Sequence, residues 1–294
     1  MNSLMSDLET IKINNNLRHD SCPLCKSYSI INIGKIKYSN PLLYSSSRIE
    51  ISSCPELWNC SNCNSSFTQN AIREEDSRRL YSQGSSNQRW SSQDLTTTKT
   101  KDAIACLSEL FAKGGYVLDI GCNTGELLDF AKKFGCETHG VEYSQSSLEV
   151  LRLKGHVAYD SISKVDCKFD VITAFDLVEH HYDVPNFLQE CLAKLNPGGI
   201  LVLLTGNIES IPSRLTKSKW WYVSFPEHIV FPSKRYFQSH TDFKVTGWIP
   251  TFAAPPKILK SLPRLLIREI LMLRPDGRTW LMPDHVIVTL QSNK

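Results

Sequence analysis

The chain has 294 residues, 41% hydrophobic and 21% charged, the make-up of an ordinary globular protein with room for one large domain or two smaller ones. A net charge of +3 is too small to point to nucleic acid, and no stretch approaches the roughly 18 consecutive apolar residues of a membrane span. Residues 1–20 form a polar leader without the apolar core of a signal peptide, so cytoplasmic residence is expected, and the ten cysteines read as metal ligands or packing residues rather than disulfides.

Two Cys-x-x-Cys pairs come next, Cys22 with Cys25 and Cys60 with Cys63. Each pair can sit on a tight knuckle, and four thiolates close a tetrahedron around Zn²⁺ with no open position, so a structural zinc is expected. The gap between the pairs, residues 26–59, is longer than usual; the alternating runs Ile30 to Ile33 and Arg48 to Ser52 fill it with short strands, and Cys54 is a spare ligand candidate. Residues 74–82 read as a helix closing a module over 21–82. Gln83 to Thr100, rich in Ser, Gln and Thr, reads as a linker or as a lid whose rings would be Tyr81 and Trp90.

Lys101 to Lys113 is an amphipathic helix leading into Tyr116-Val117-Leu118-Asp119-Ile120-Gly121-Cys122-Asn123-Thr124-Gly125. Here a buried strand ends in an acid, turns through two glycines and enters a helix, as a nucleotide-binding turn does. Strands and helices then alternate over 116–120, 125–134, 138–142, 145–154, 157–160, 169–175, 184–195 and 200–205. Such alternation builds a mostly parallel α/β sheet with helices on both faces and ligands beyond the carboxyl ends of the strands. Asp119, Glu142, Asp160 and Asp176 fall at those ends. Glu142 lies at the distance from the turn at which Rossmann-like folds place an acid for ribose hydroxyls. A dinucleotide is disfavoured, because Asp119, two residues before Gly121, would repel a pyrophosphate; the same carboxylate favours a ligand carrying sulfonium and ammonium groups.

With the run Phe169 to Asp176, the Leu177-Val178-Glu179-His180-His181 segment after it and the Leu195-Asn196-Pro197-Gly198-Gly199 turn, this order resembles the class I S-adenosylmethionine-dependent methyltransferases, in the subgroup of quinone, glycan and natural-product enzymes. The resemblance covers roughly 101–250 and implies a Rossmann-like seven-stranded sheet in a catalytic domain over 101–294, with S-adenosylmethionine as cofactor. It implies cofactor contacts from Asp119, Gly121, Asn123, Gly125, Glu142, Asp160 and Asp176, Asp160 at the adenine. Asn123 replaces the glycine usual in the middle of the family's turn, and Asn tolerates the left-handed backbone. Many subgroup members carry a ribbon before the catalytic domain, as the cysteine pairs here do.

Residues 207–232 hold an aromatic stretch from Lys219 to Phe231, expected to lie over the acceptor. Its rings could stack on an acceptor or serve as core, and for Trp220, Trp221 and Phe231 both readings stand. Ser233 to His240 reads as a helix, and Phe243 to Ile249 and His285 to Leu290 as strands. The basic amphipathic segment 256–274 suits packing on the domain or a dimer partner, or else peripheral contact with an acidic membrane. Cys106, Cys122, Cys136, Cys167 and Cys191 lack metal spacing and read as packing residues. For a hydroxyl acceptor a neutral imidazole must take the proton; His180, His181 and His228 are the candidates, with His228 expected as base and His180 beside the cofactor. The expected acceptor is a small molecule or glycan, first a sugar hydroxyl, with a quinone or lipid as alternative. A catalytically silent, cofactor-binding interaction protein is the reading from another class. An RNA substrate is disfavoured, since no dense basic patch surrounds the cysteine pairs.

Overall fold

The computed structural model describes residues 10–39, 42–44, 47–83, 97–252 and 283–293. Within the N-terminal part, β1 (Thr10–Ile13), β3 (Leu42–Tyr44) and β4 (Ser47–Ile51) form one small sheet, while β2 (Ile30–Lys35), β5 (Glu56–Cys60) and β6 (Ser66–Gln69) pair antiparallel in another. Helix α1 (Glu74–Gln83) follows, and α2 (Thr98–Phe111) begins three residues before the predicted start, capped by the Thr97 side chain. The expected lid over 83–100 and the basic segment 256–274 lie largely or wholly outside the described residues, as do Trp90 and the Tyr81 side chain.

From Tyr116 onward the predicted alternation is present: β7 (Tyr116–Ile120), α3 (Glu126–Lys132), β8 (Glu137–Val141), α4 (Gln145–Leu153), β9 (Val157–Tyr159), β10 (Phe169–Phe175), α5 (Val184–Ala193) and β11 (Leu195–Gly206). After α6 (Ile211–Thr216), β12 (Val230–Phe231) and α7 (Lys234–Gln238), the antiparallel strands β13 (Phe243–Thr251) and β14 (His285–Ser292) complete the sheet, in the order β13-β14-β11-β10-β7-β8-β9. The chain winds outward from β7 through β8 to β9, then returns to place β10 on the other side of β7, so the switch point lies between the carboxyl ends of β7 and β10.

Period-two alternation along the central strands feeds two cores. Val117, Val171 and Val202 face Leu107, Phe111, Leu127 and Leu151 of α2, α3 and α4. Leu118, Ile172 and Leu201 face Phe187 and Leu188 of α5 and Phe237 of α7. One expectation needs correction: β11 starts at Leu195, so the Asn-Pro-Gly-Gly turn is a bulge inside a strand. Phe169 pairs with Leu195 while Val171 pairs with Ile200, and Gly198 takes a φ of +75°.

The aromatic loop does not sit on the sheet alone. Trp220, Tyr222, Phe225 and Phe231 are buried in a third core with Ile36, Tyr44, Leu57, Ile72 and Leu80 of the N-terminal part. Strand β12 adds to the edge of β6, through Val230 opposite Phe67 and Phe231 opposite Ser66.

Candidate active site

The glycine turn is held by backbone geometry. Gly121 and Gly125 have φ of +74° and +82°, and Asn123 takes +48°, the left-handed region that Asn visits more readily than other side chains. A Cβ on Gly125 would come within 2.6 Å of the Leu151 side chain, itself fully buried. Gly125→Ala is therefore expected to lower stability by about 1–3 kcal/mol, from the left-handed backbone and the overpacking together, in urea or thermal denaturation. A variant as stable as the parent would show that the turn can relax.

Asp119, the last residue but one of β7, is fully buried. Its Oδ1 accepts a hydrogen bond from Thr173 Oγ1 at 2.7 Å, while Oδ2 is buried with no hydrogen-bond partner among the described residues. Burial pushes its carboxyl up to about 7, against the Thr173 hydrogen bond and with help from the Glu142 and Glu126 carboxylates. An orphaned carboxylate oxygen beside a turn with two glycines that lack a Cβ is what a cationic, closely apposed ligand needs. Glu142, after β8, accepts from the Asn123 backbone N–H at 3.0 Å through Oε2 and from those of Tyr143 and Ser144, at 2.8 and 3.1 Å, through Oε1. It therefore clasps the turn.

Asp176 follows β10 with a φ of +48°, and Lys99 of α2 pairs with its Oδ2. Asp160 follows β9 and pairs with Lys164 at 2.7 Å, which holds its carboxyl below the usual range. The structure thus links Asn123 and Glu142 directly, sets Glu142 close enough to Asp119 to influence its charge, and leaves Asp160 in an exposed ion pair.

Across the switch point lies a second cluster. Glu179 is fully buried; Thr205 Oγ1 donates to its Oε2 at 2.8 Å and the Tyr222 hydroxyl donates to its Oε1. The His180 and His228 rings meet edge to face at 4.8 Å, and one ligating atom from each of Glu179, His180 and His228 falls within 4.8 Å of the others. His180 Nδ1 lies 2.9 Å from the Glu227 carbonyl and His228 Nδ1 lies 2.6 Å from the Tyr222 carbonyl. A carbonyl oxygen only accepts, so each Nδ1 carries a proton, and the position that can hold a free lone pair is Nε2. Burial, then the neighbouring His180, push His228 down to about 3, against the Tyr222 carbonyl and Asp176. His181 points elsewhere: it stacks on Phe187 at 4.0 Å, and burial pushes it down to about 4.

Of the aromatic loop, Trp220 and Phe231 are core, whereas Trp221 is 57% exposed, with its ring 5.6 Å from His285. Tyr222, Lys99 and His285 belong to this region yet carry no motif. Their only sequence signal is position, one in the aromatic run, one at a helix start and one at the head of the last strand.

The four cysteines form a third site. Cys22 and Cys63 sulfurs are 3.7 Å apart, Cys25 and Cys60 sulfurs 3.5 Å, and all four lie within 4.8 Å of one another. Zn–S bonds of about 2.3 Å imply tetrahedron edges of about 3.8 Å, so the cluster fits Zn²⁺. The two knuckles are equivalent: Lys26 and Asn64, each just after a pair, take φ of 60° and 65° and donate their N–H to the carbonyls of Cys22 and Cys60. Cys54 is exposed and outside the cluster. Cys122, Cys136 and Cys191 are buried packing residues, while Cys106 and Cys167 are partly exposed.

Known proteins resemble this chain in part. A ubiquinone biosynthesis O-methyltransferase of Bradyrhizobium diazoefficiens is 38% identical over 100 residues, 31% of this chain and 40% of that protein. One of Coxiella burnetii is 32% identical over 111 residues, 34% of this chain and 47% of that protein. The chain thus spans less than half the length of these curated relatives. Among solved structures, a SAM-dependent methyltransferase from Archaeoglobus fulgidus is 20% identical with a TM-score of 0.46, covering 65% of this chain and 92% of its own. The plantazolicin methyltransferase BpumL in complex with SAH is 15% identical with a TM-score of 0.46, covering 75% of this chain and 91% of its own. Residues 93–242, about half of the chain and the part that holds the glycine turn, Glu142, Glu179, His180 and His228, match the family described as Methyltransferase domain. The chain belongs to that family, as a class I, S-adenosylmethionine-dependent member with a zinc-ribbon-like segment at its N-terminus.

Proposed function

We propose that this chain methylates a ring hydroxyl of a small phenolic or quinone-type acceptor. The observation that carries this reading is the pairing of two half-sites at one switch point: the unsatisfied Asp119 beside the glycine turn, and the two imidazoles around buried Glu179 behind exposed Trp221. S-adenosylmethionine supplies an activated methyl on a sulfonium. Asp119, Gly121, Asn123, Gly125 and Glu142 would hold it, with Asp119 meeting its positive charge. His228 would take the acceptor proton on Nε2 as the bond to the methyl forms, and the carboxylates of Asp176 and Glu179 would steady the imidazolium. Trp221 offers a face for a planar ring. The buried rings around it keep water from the nucleophile. The four-cysteine module 21–82 and the loop 207–232 together would form the acceptor wall of the 101–294 domain.

The names of the relatives favour a quinone precursor over the sugar hydroxyl expected from the sequence. No helix among the described residues is long and apolar enough to cross a membrane, so a lipid-linked acceptor would be met from the side. The test is incubation of the purified chain and radiolabelled S-adenosylmethionine with extract of its source, separated into lipid, water-soluble and polymer fractions. Label in the lipid-extractable ring fraction is expected. Label confined to sugars or polysaccharide would overturn the acceptor and keep the reaction, and no transfer despite cofactor binding would favour the silent binding protein.

A further inference from the structure

Strand β12 has two neighbours. On one side it pairs with β6, three residues past Cys63: the Thr68 N–H donates to the Ile229 carbonyl at 2.8 Å, and Thr68 Oγ1 donates to the His228 carbonyl at 3.3 Å. On the other side the Ile229 N–H donates to the backbone carbonyl of Glu179 at 2.8 Å. Two residues beyond β12, fully buried Ser233 reaches the metal knuckle itself. Its N–H donates to Ser65 Oγ at 3.0 Å, its Oγ donates to the Cys63 carbonyl, and the same Oγ accepts the Tyr236 N–H that opens α7. Glu209 adds a second tie, accepting from Asn64 Nδ2 and from the Lys234 N–H at 3.0 Å each.

We infer that Ser233, Ser65 and Thr68 are positioning residues, through which occupancy of the four-thiolate site sets the place of the His228 and Glu179 backbones. The physical reason is that the knuckle has no hydrophobic core of its own size to fix it; Cys22, Cys60 and Cys63 are themselves part of the core that carries Phe67 and Val230. Without a metal the two knuckles lose the atom that would bridge them, and the edge that receives β12 loosens with them. The glycine turn follows β7, the neighbour of β10 in the sheet, but shares none of these hydrogen bonds. Metal loss should therefore disable the acceptor half and spare the cofactor half. The turnover arm alone rests on the methyltransferase reading.

The experiment uses the full chain as purified, its metal content measured by mass spectrometry, before and after removal of metal with a chelator. Amide hydrogen exchange is followed separately at 228–233 and at 117–128, and S-adenosylmethionine affinity is measured by calorimetry. Expected is at least tenfold faster exchange at 228–233, with 117–128 and cofactor affinity changed less than threefold. Ser233→Ala, with its metal retained, should reproduce part of the loosening and lower turnover, and Ser233→Thr should restore protection. Equal loosening of both segments, no change at 228–233, or a Ser233→Ala variant indistinguishable from the parent would each overturn the inference. None of the exchange readouts depends on the identity of the acceptor, so failure here and failure of the acceptor reading are separable.

Discussion

Asp119→Asn is expected to bind S-adenosylmethionine at least tenfold more weakly at pH 8 and yet to unfold at a higher temperature than the parent at that pH. Both effects come from one buried carboxyl. Its folded pKa of about 7 stands above the value of 3.8 for an unperturbed Asp, chiefly because burial opposes ionisation. A raised carboxyl makes the folded state hold its proton more tightly than the unfolded one. The stability this confers is fully present below about pH 3.8 and is lost as pH rises through 7. About three units at about 1.4 kcal/mol each put the cost of ionised Asp119 at pH 8 on the order of 4 kcal/mol. The amide removes the charge, though its own nitrogen falls where Oδ2 has no partner, so the gain is a fraction of that. Below about pH 3.8, where the parent carboxyl is protonated in both the folded and the unfolded state, the two melting temperatures should converge. Parent cofactor affinity should in turn weaken as pH falls below 7, by up to tenfold per unit, since the cationic ligand needs the ionised form. Equal melting temperatures at pH 8 would show that the buried charge costs the fold nothing, and an unchanged affinity would remove Asp119 from the cofactor site.

The features legible in the sequence are those set by local periodicity and backbone chemistry. The strands from Tyr116 to Phe175 fall within a residue of their expected bounds because buried parallel strands read as uninterrupted apolar runs, and the glycine turn because left-handed backbone restricts composition. The bulge at Asn196 to Gly199 reads in the sequence as a turn outside the strand, since the same Pro-Gly-Gly residues serve both. Spacing also gave the cysteine knuckles. It could not show that β12, a two-residue strand some 165 residues downstream of β6, finishes their sheet. Nor could it sort the aromatic run: Trp220 and Trp221 are adjacent and chemically identical, yet one is core and the other exposed, because the packing partners of Trp220 come from the N-terminal part. Tyr222, which donates to Glu179 from 43 residues away, is invisible for the same reason.

His228→Ala is expected to lower turnover at least a hundredfold while leaving cofactor affinity within about twofold. The distinction matters because His228 also has a structural bond, from Nδ1 to the Tyr222 carbonyl, and Ala removes that together with the base. His228→Asn separates the two roles, since its amide can still donate to the carbonyl but offers no basic nitrogen. If His228 removes the acceptor proton, Asn must be as slow as Ala. Recovery of turnover by Asn would make His228 a positioning residue and leave His180 as the remaining imidazole at the site. The pH profile gives an independent reading. Held at about 3 by burial, His228 is neutral across the assay range, so it should add no step to the rate near 6.5, the ordinary value for an imidazole. The acid limb of turnover at limiting cofactor should instead follow Asp119 near 7 and disappear in Asp119→Asn. A limb that survives that substitution and vanishes with His228→Asn would mean that bound acceptor raises the imidazole by several units, as an ionised phenolate held against Nε2 would do.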